Sequence, residues 1–136
     1  MEIGETRTDR VLQAALTGLA SRQRVIADNV ANVDTPGFKA SAVQFEALLR
    51  KAAGGGDSFR LLSVPGAVDA PPADPRTVAP QVVTLADTSL RADGNNVDLD
   101  QQMVQLAETN ITYNAVAQLT GARLQLLRTV INEGRR

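Results

Sequence analysis

The side chains best equipped for chemistry in this chain are amides and hydroxyls. Asn29, Asn32 and Thr35 follow one another at three-residue spacing, just ahead of Pro36, Gly37 and Phe38. Asn95 and Asn96 stand side by side ahead of Val97 and Asp98. Amides one helical turn apart bond backbone carbonyls or turn amides, a chemistry of shaping and binding. Catalysis is poorly provided for. The chain holds no His, so the usual general base near neutral pH and the commonest imidazole ligand are both missing. It holds no Cys, which excludes a thiolate nucleophile, a disulfide and a Cys-ligated zinc or iron–sulfur cluster. The 15 acidic residues include no recognisable carboxylate motif. Gly54–Gly55–Gly56 lacks the Lys-Ser/Thr that completes a phosphate loop. We expect no enzyme activity, no cofactor and no metal.

Thr35-Pro36-Gly37-Phe38 predicts a type II turn. Proline presets φ at the second position and glycine supplies positive φ at the third. The product is a sharp exit from whatever precedes it, and the residue before Pro36 is pushed out of the helical region.

What precedes it is helical. From about Thr8 to Val33, Leu12, Leu16, Leu19, Gln23, Ile26, Val30 and Val33 alternate steps of four and three, a heptad seam with a polar break at Gln23. The C-terminal stretch repeats the pattern from about Asp98 to Glu133, through Met103, Leu106, Asn110, Tyr113, Ala117, Thr120, Leu124, Leu127 and Ile131. Asp98 with Gln101 reads as a capping box, and Asp98 and Asp100 suit the positive end of the helix dipole. That helix would be roughly 50 Å long, too long for a small globule and suited to a coiled coil or helical assembly.

The expected fold is mainly α, with long N- and C-terminal helices paired as an antiparallel-type coiled coil. We divide it into 1–50 (helix and turn), 51–97 (a Pro/Gly-rich middle) and 98–136 (second helix). The first and last parts form one helical unit. Five of the six prolines fall between Gly54 and Pro80, which precludes helix or central strand there. Leu61–Val64 and Gln81–Leu85 are short β-like pieces that pair as a hairpin or lie extended on a neighbour. Residues 67–80 read as a flexible loop. In the helical unit, Leu12, Leu16, Leu19, Ile26 and Val30 should meet Met103, Leu106, Tyr113, Leu124, Leu127 and Ile131, with Leu16 near Leu127.

At 136 residues the chain makes one domain at most. Aromatics are 3%, namely Phe38, Phe45, Phe59 and Tyr113, which suits narrow helix seams better than a thick core. A net charge of −1 gives no electrostatic case for nucleic acid. No apolar run approaches the ~20 residues needed to span a bilayer, and Met1 to Arg10 has no signal-peptide pattern.

The helix faces outside the seam are polar but nearly uncharged. From Gln101 to Ala122 the only charge is Glu108, and from Val11 to Ser21 there is none. Amides and hydroxyls desolvate more cheaply than ions. Either the pair touches neighbours on several sides, as in a polymer wall, or it is a single coiled coil with a bland polar face. A lipid-surface helix would need a basic face opposite bulky apolar residues, and both are missing.

The run Asn29-x-x-Asn32-x-x-Thr35-Pro36-Gly37-Phe38-Lys39-Ala40 resembles the signature of the bacterial flagellar rod and hook family. The stretch Asp93-Gly94-Asn95-Asn96-Val97-Asp98-Leu99, with Gln102, Met103 and Leu106 to Tyr113, resembles that family's second-helix start and is nearest its proximal rod members. The matches cover about the first and last 45 residues. Phe38 stands where many relatives have Tyr, and Gln102 where a Glu often precedes the Met. The resemblance implies a structural subunit of the basal-body rod, the drive shaft crossing the periplasm. It implies type III export without a cleaved signal and self-association in a helical tube. It also implies contacts with other rod subunits, with the adaptor protein at the rod base and with the export gate. Asn29, Asn32, Thr35, Pro36, Gly37, Phe38, Asn95, Asn96, Val97 and Asp98 become motif and subunit-contact residues. A free-standing coiled-coil adaptor or chaperone, or a neighbouring rod subunit, is the alternative.

Overall fold

The computed structural model describes residues 6–53, 74–86, 89 and 91–133. Among these it is mainly helical, with three α-helices and one two-stranded sheet. Helix α1 spans Arg7–Ala31. The Asp9 carboxylate accepts from the Thr6 backbone N–H at 2.8 Å and from the Thr6 hydroxyl at 2.7 Å, occupying groups that a helix start leaves open. At the other end Asn32 closes the last turn, its N–H donating to the Asp28 and Asn29 carbonyls. The turn that follows is the one expected. The Phe38 N–H donates to the Thr35 carbonyl at 3.2 Å, and Gly37 has φ 73°.

Two elements were not foreseen. Strand β1, Ser41–Gln44, lies inside the segment read as helix and turn, and helix α2, Glu46–Ala52, follows it at once. Strand β2, Gln81–Thr84, confirms a β-like piece there, but its partner is β1, antiparallel, with Ser41 opposite Thr84 and Gln44 opposite Gln81. The other piece of the expected hairpin, Leu61–Val64, lies outside the described residues, as does half of the 67–80 loop. The described part of that loop carries a 3-10 turn at Pro75–Thr77, packed against α1. Strand β1 forms where it does because the turn reverses the chain and Asn29 of α1 catches the Ser41 backbone.

Helix α3 spans Leu99–Glu133. Asp98 caps it, its carboxylate accepting from the Gln101 N–H at 3.2 Å. Helices α1 and α3 pack side by side in opposite directions. Asn29 bonds Gln102, Gln23 bonds Asn110 at 2.7 Å, and Arg123 bonds Asp9. The two polar positions in the sequence-read seams, Gln23 and Asn110, thus answer one another.

The seam on α3 differs from the expected one. Its buried or half-buried residues are Gln102, Leu106, Thr109, Tyr113, Val116, Thr120, Arg123 and Leu127. Leu106, Tyr113, Thr120 and Leu127 were expected, but the alternate positions fall one residue earlier. Met103, Leu124 and Ile131 are 52, 53 and 67% exposed. Gln102 and Thr109 take buried places because their polar atoms are bonded, to Asn29 and to the Gln105 carbonyl. On α1, Leu19 and Ile26 are buried, and Leu12, Leu16 and Val30 are half-buried. Leu16 does not meet Leu127. The register puts Leu16 across from the neighbourhood of Val116, and Leu127 lies about 16 Å further along the helix. The core is small: Leu19, Val25, Val43 and Phe45, with Leu49, Tyr113 and Val116 against it.

Candidate functional site: an asparagine junction

The two distinctive sequence stretches come together. The turn after α1 and the segment before α3 meet where the Gly37 N–H donates to the Asp93 carbonyl at 2.9 Å. Gly94 also has positive φ, 82°, and a β-carbon on it would lie 3.7 Å from the Gly37 Cα. Two glycine turns therefore lie back to back, each in a conformation that side chains resist.

Three asparagines lock this meeting. Asn95 has no solvent exposure. Its Nδ2 points at the carbonyls of Asn32, Val33 and Thr35, at 3.1, 3.0 and 2.9 Å. Its Oδ1 accepts from the Val97 N–H at 2.7 Å. The carbonyls of the turn that follows α1 are thus bonded from the far end of the chain. Asn29 is 1% exposed. It bonds both backbone groups of Ser41, donating to the carbonyl at 2.8 Å and accepting from the N–H at 2.9 Å. It also donates to Gln102 Oε1 at 3.0 Å. Asn96 accepts from the Ala40 N–H and donates to the Leu85 carbonyl, each at 2.6 Å, stitching the end of the sheet.

Asn32 has a lesser part, donating to the Asp28 carbonyl and accepting from the Thr35 hydroxyl at 3.2 Å. Val97 is buried, and Phe38 is half-buried. Asp34, Thr35, Pro36, Gly37 and Asp98 are exposed, so the turn forms an outward knuckle on a rigid base. Arg91 flanks the knuckle, 3.6 Å from Asp34 and 3.4 Å from Asp93. Sequence reading missed Gln102 and Ser41 as members. Gln102 sat in a helical run where apolar Met103 drew the pattern, and Ser41 carried no pattern at all.

The buried amides of this site, Asn29, Asn95 and Asn96, bond backbone groups, and Asn29 also bonds the Gln102 amide. Among the described residues of the site no nucleophile is paired with a base, and no three acidic side chains gather as a metal site. The arrangement can hold a shape and present a knuckle. The carboxylates with shifted acidity lie elsewhere. Hydrogen bonds from Thr6, then Arg123, hold Asp9 below its ordinary 3.8. Burial pushes Glu46 up, but bonds from its own N–H and from Arg22 outweigh this and lower it from 4.5.

Residues 10–39, which carry the first half of the junction, match the family described as Flagella basal body rod protein. A flagellar basal body rod protein FlgB from Bacillus subtilis is 35% identical over 127 residues, covering 91% of this chain and 92% of that protein. The chain belongs to the flagellar basal body rod protein family. A FlgB from Salmonella typhimurium is 32% identical over 135 residues, with 92 and 93% covered, and one from Borrelia hermsii 33% over 125 residues, with 83 and 87% covered. Likeness to these rod proteins spans nearly the whole chain, so it includes both halves of the asparagine junction and the helix pair it joins.

Proposed function

We propose that this chain is a structural subunit of the proximal flagellar rod, working through shape and repeated contact. One observation carries the reading. The junction fixes α1 against α3 with buried amides, while the outer side of α3 leaves Val104, Ile111, Leu119, Leu126 and Val130 more than half exposed. Contiguous apolar surface on a small protein marks an interaction site. A helix pair that is bonded on one side and apolar on the other suits a tube wall, where each subunit meets several neighbours.

In this reading α1 and α3 pair as a coiled coil through Leu12, Leu16, Leu19, Ile26 and Val30 and through Leu106, Tyr113 and Leu127. The knuckle from Asp34 to Phe38 touches an adjoining subunit. Torque passes through many shallow contacts, and no reaction is catalysed. The chain is exported without a cleaved signal to the periplasmic rod. There it meets other rod subunits, the adaptor protein at the rod base and the export gate. No helix among the described residues is long and apolar enough to cross a membrane.

Deleting the gene in its native host should abolish swimming and leave basal bodies without a complete rod, and the unmodified gene should restore both. A density map of the restored basal body should show paired terminal helices in the rod wall. Normal swimming in the deletion strain would refute the reading.

A further inference from the structure

On the reading of this chain as a rod subunit, we propose that the projecting end of α3 in one copy docks into a groove beside β1 and α2 in the next. The geometry supplies both halves. Arg123 bonds Asp9, near the start of α1, so beyond about residue 126 α3 runs past the described part of its partner helix. Leu124, Leu127 and Ile131 share one face of this end of α3 at positions i, i+3 and i+7. Leu124 and Ile131 are more than half exposed. Arg128 flanks them, exposed, with no bonded partner among the described residues.

The groove measures about 570 Å³, within the usual range for binding clefts of about 300–1,000 Å³. Leu19, Phe45, Leu49 and Val116 line it, with Glu46 and Glu108 among the polar residues around them. Arg22 already engages Glu46. The Glu108 carboxylate has no bonded partner among the described residues, and it is the only charge on a long stretch of α3. An apolar helix face flanked by one cation thus matches an apolar groove flanked by one anion. Helices dock into such grooves through anchors at this spacing. The contact joins two different surfaces, so it does not close on itself and builds an open helical array.

Cysteine coupling tests this, because the chain has no Cys of its own. Thr112 lines the groove and is exposed. Residues 112 and 131 are about 28 Å apart along α3, and a disulfide spans at most about 7 Å between Cα atoms. A bond between them therefore joins two molecules. T112C and I131C are expressed together in the native host deleted for its own copy. Basal bodies from these cells, once oxidised, should yield a 112–131 dimer, and the T112C/I131C double variant should yield a ladder. E108R and R128E should each cut swimming about fivefold, and the pair together should restore it. Swimming cells without the 112–131 product, with only 131–131 product, or with no rescue by the paired charge reversal would overturn the contact while leaving the rod reading intact. Failure of the unmodified gene to restore swimming would overturn both.

Discussion

The ring of Phe45 fills the space that a β-carbon on Gly18 would need. Such a carbon would lie 2.5 Å from the ring Cδ2 and 2.6 Å from Cε2. One turn along α1, the Arg22 guanidinium sits 5.1 Å from the same ring centroid, donates to the Val43 carbonyl at 3.1 Å and engages Glu46. Gly18 and Arg22 together hold the corner between β1 and α2.

Gly18→Ala tests this contact. In open space the change would stabilise a helix by about 1 kcal/mol. Here it should destabilise by about 1–3 kcal/mol, because the ring must move. Phe45→Leu should recover part of the loss in the double variant. Urea midpoints followed by circular dichroism measure both, and a Gly18→Ala protein more stable than the parent would contradict the packing.

Asn95→Ala removes a buried donor shared by three carbonyls and should cost about 2–3 kcal/mol. Asn95→Asp should cost more, since a carboxylate oxygen would face those oxygens. Amide hydrogen exchange should show protection lost at Thr35 and Gly37 in both variants, and unchanged protection there would be a clear failure.

Gly37→Val tests the turn itself. A β-carbon on Gly37 would touch nothing within 4 Å, so any loss comes from its φ of 73° alone. Gly37→Asn should be milder, because Asn tolerates that region better than a β-branched residue. We expect Gly37→Val to lower swimming and rod assembly more than expression. Equal swimming for the two variants would count against backbone strain as the cause.

Acid should loosen the molecule in a defined window. Asp9 and Glu46 both ionise more readily when folded, so the unfolded chain binds more protons and stability falls as pH drops. Their contributions are complete above the ordinary values of 3.8 and 4.5 and fade below them. The Asp9→Asn/Glu46→Gln variant should be less stable than the parent at pH 7, with the difference shrinking below pH 4. Melting curves across that range measure it, and a gap that widens in acid would reverse the sign.

The two long helices were legible because periodicity survives without knowledge of contacts, whereas α2, seven residues long, is too short to show it. The turn was legible because Pro36 and Gly37 have few other uses together. The α3 seam was half legible. Leu106 and Tyr113 belong to it, but an apolar pattern selects Met103 where the buried residue is Gln102. A buried amide announces itself only when its partner is known, and Asn29 lies 73 residues away. Strand β1 was missed for a similar reason. Ser-Ala-Val-Gln is too short to show alternation, and Asn29 and β2 hold it from outside the segment. Asn95 and Asn96 stood out as a motif, but which carbonyls they hold was invisible.

The three carbonyls gripped by Asn95 belong to residues made 60 to 63 positions earlier. Of these the Asn32 and Thr35 oxygens also take the Thr35 and Phe38 N–H groups within the turn, but Asn95 is a donor that the leading half of the molecule cannot supply. The corner is therefore a clasp between distant parts of the chain, complete only when both halves are present.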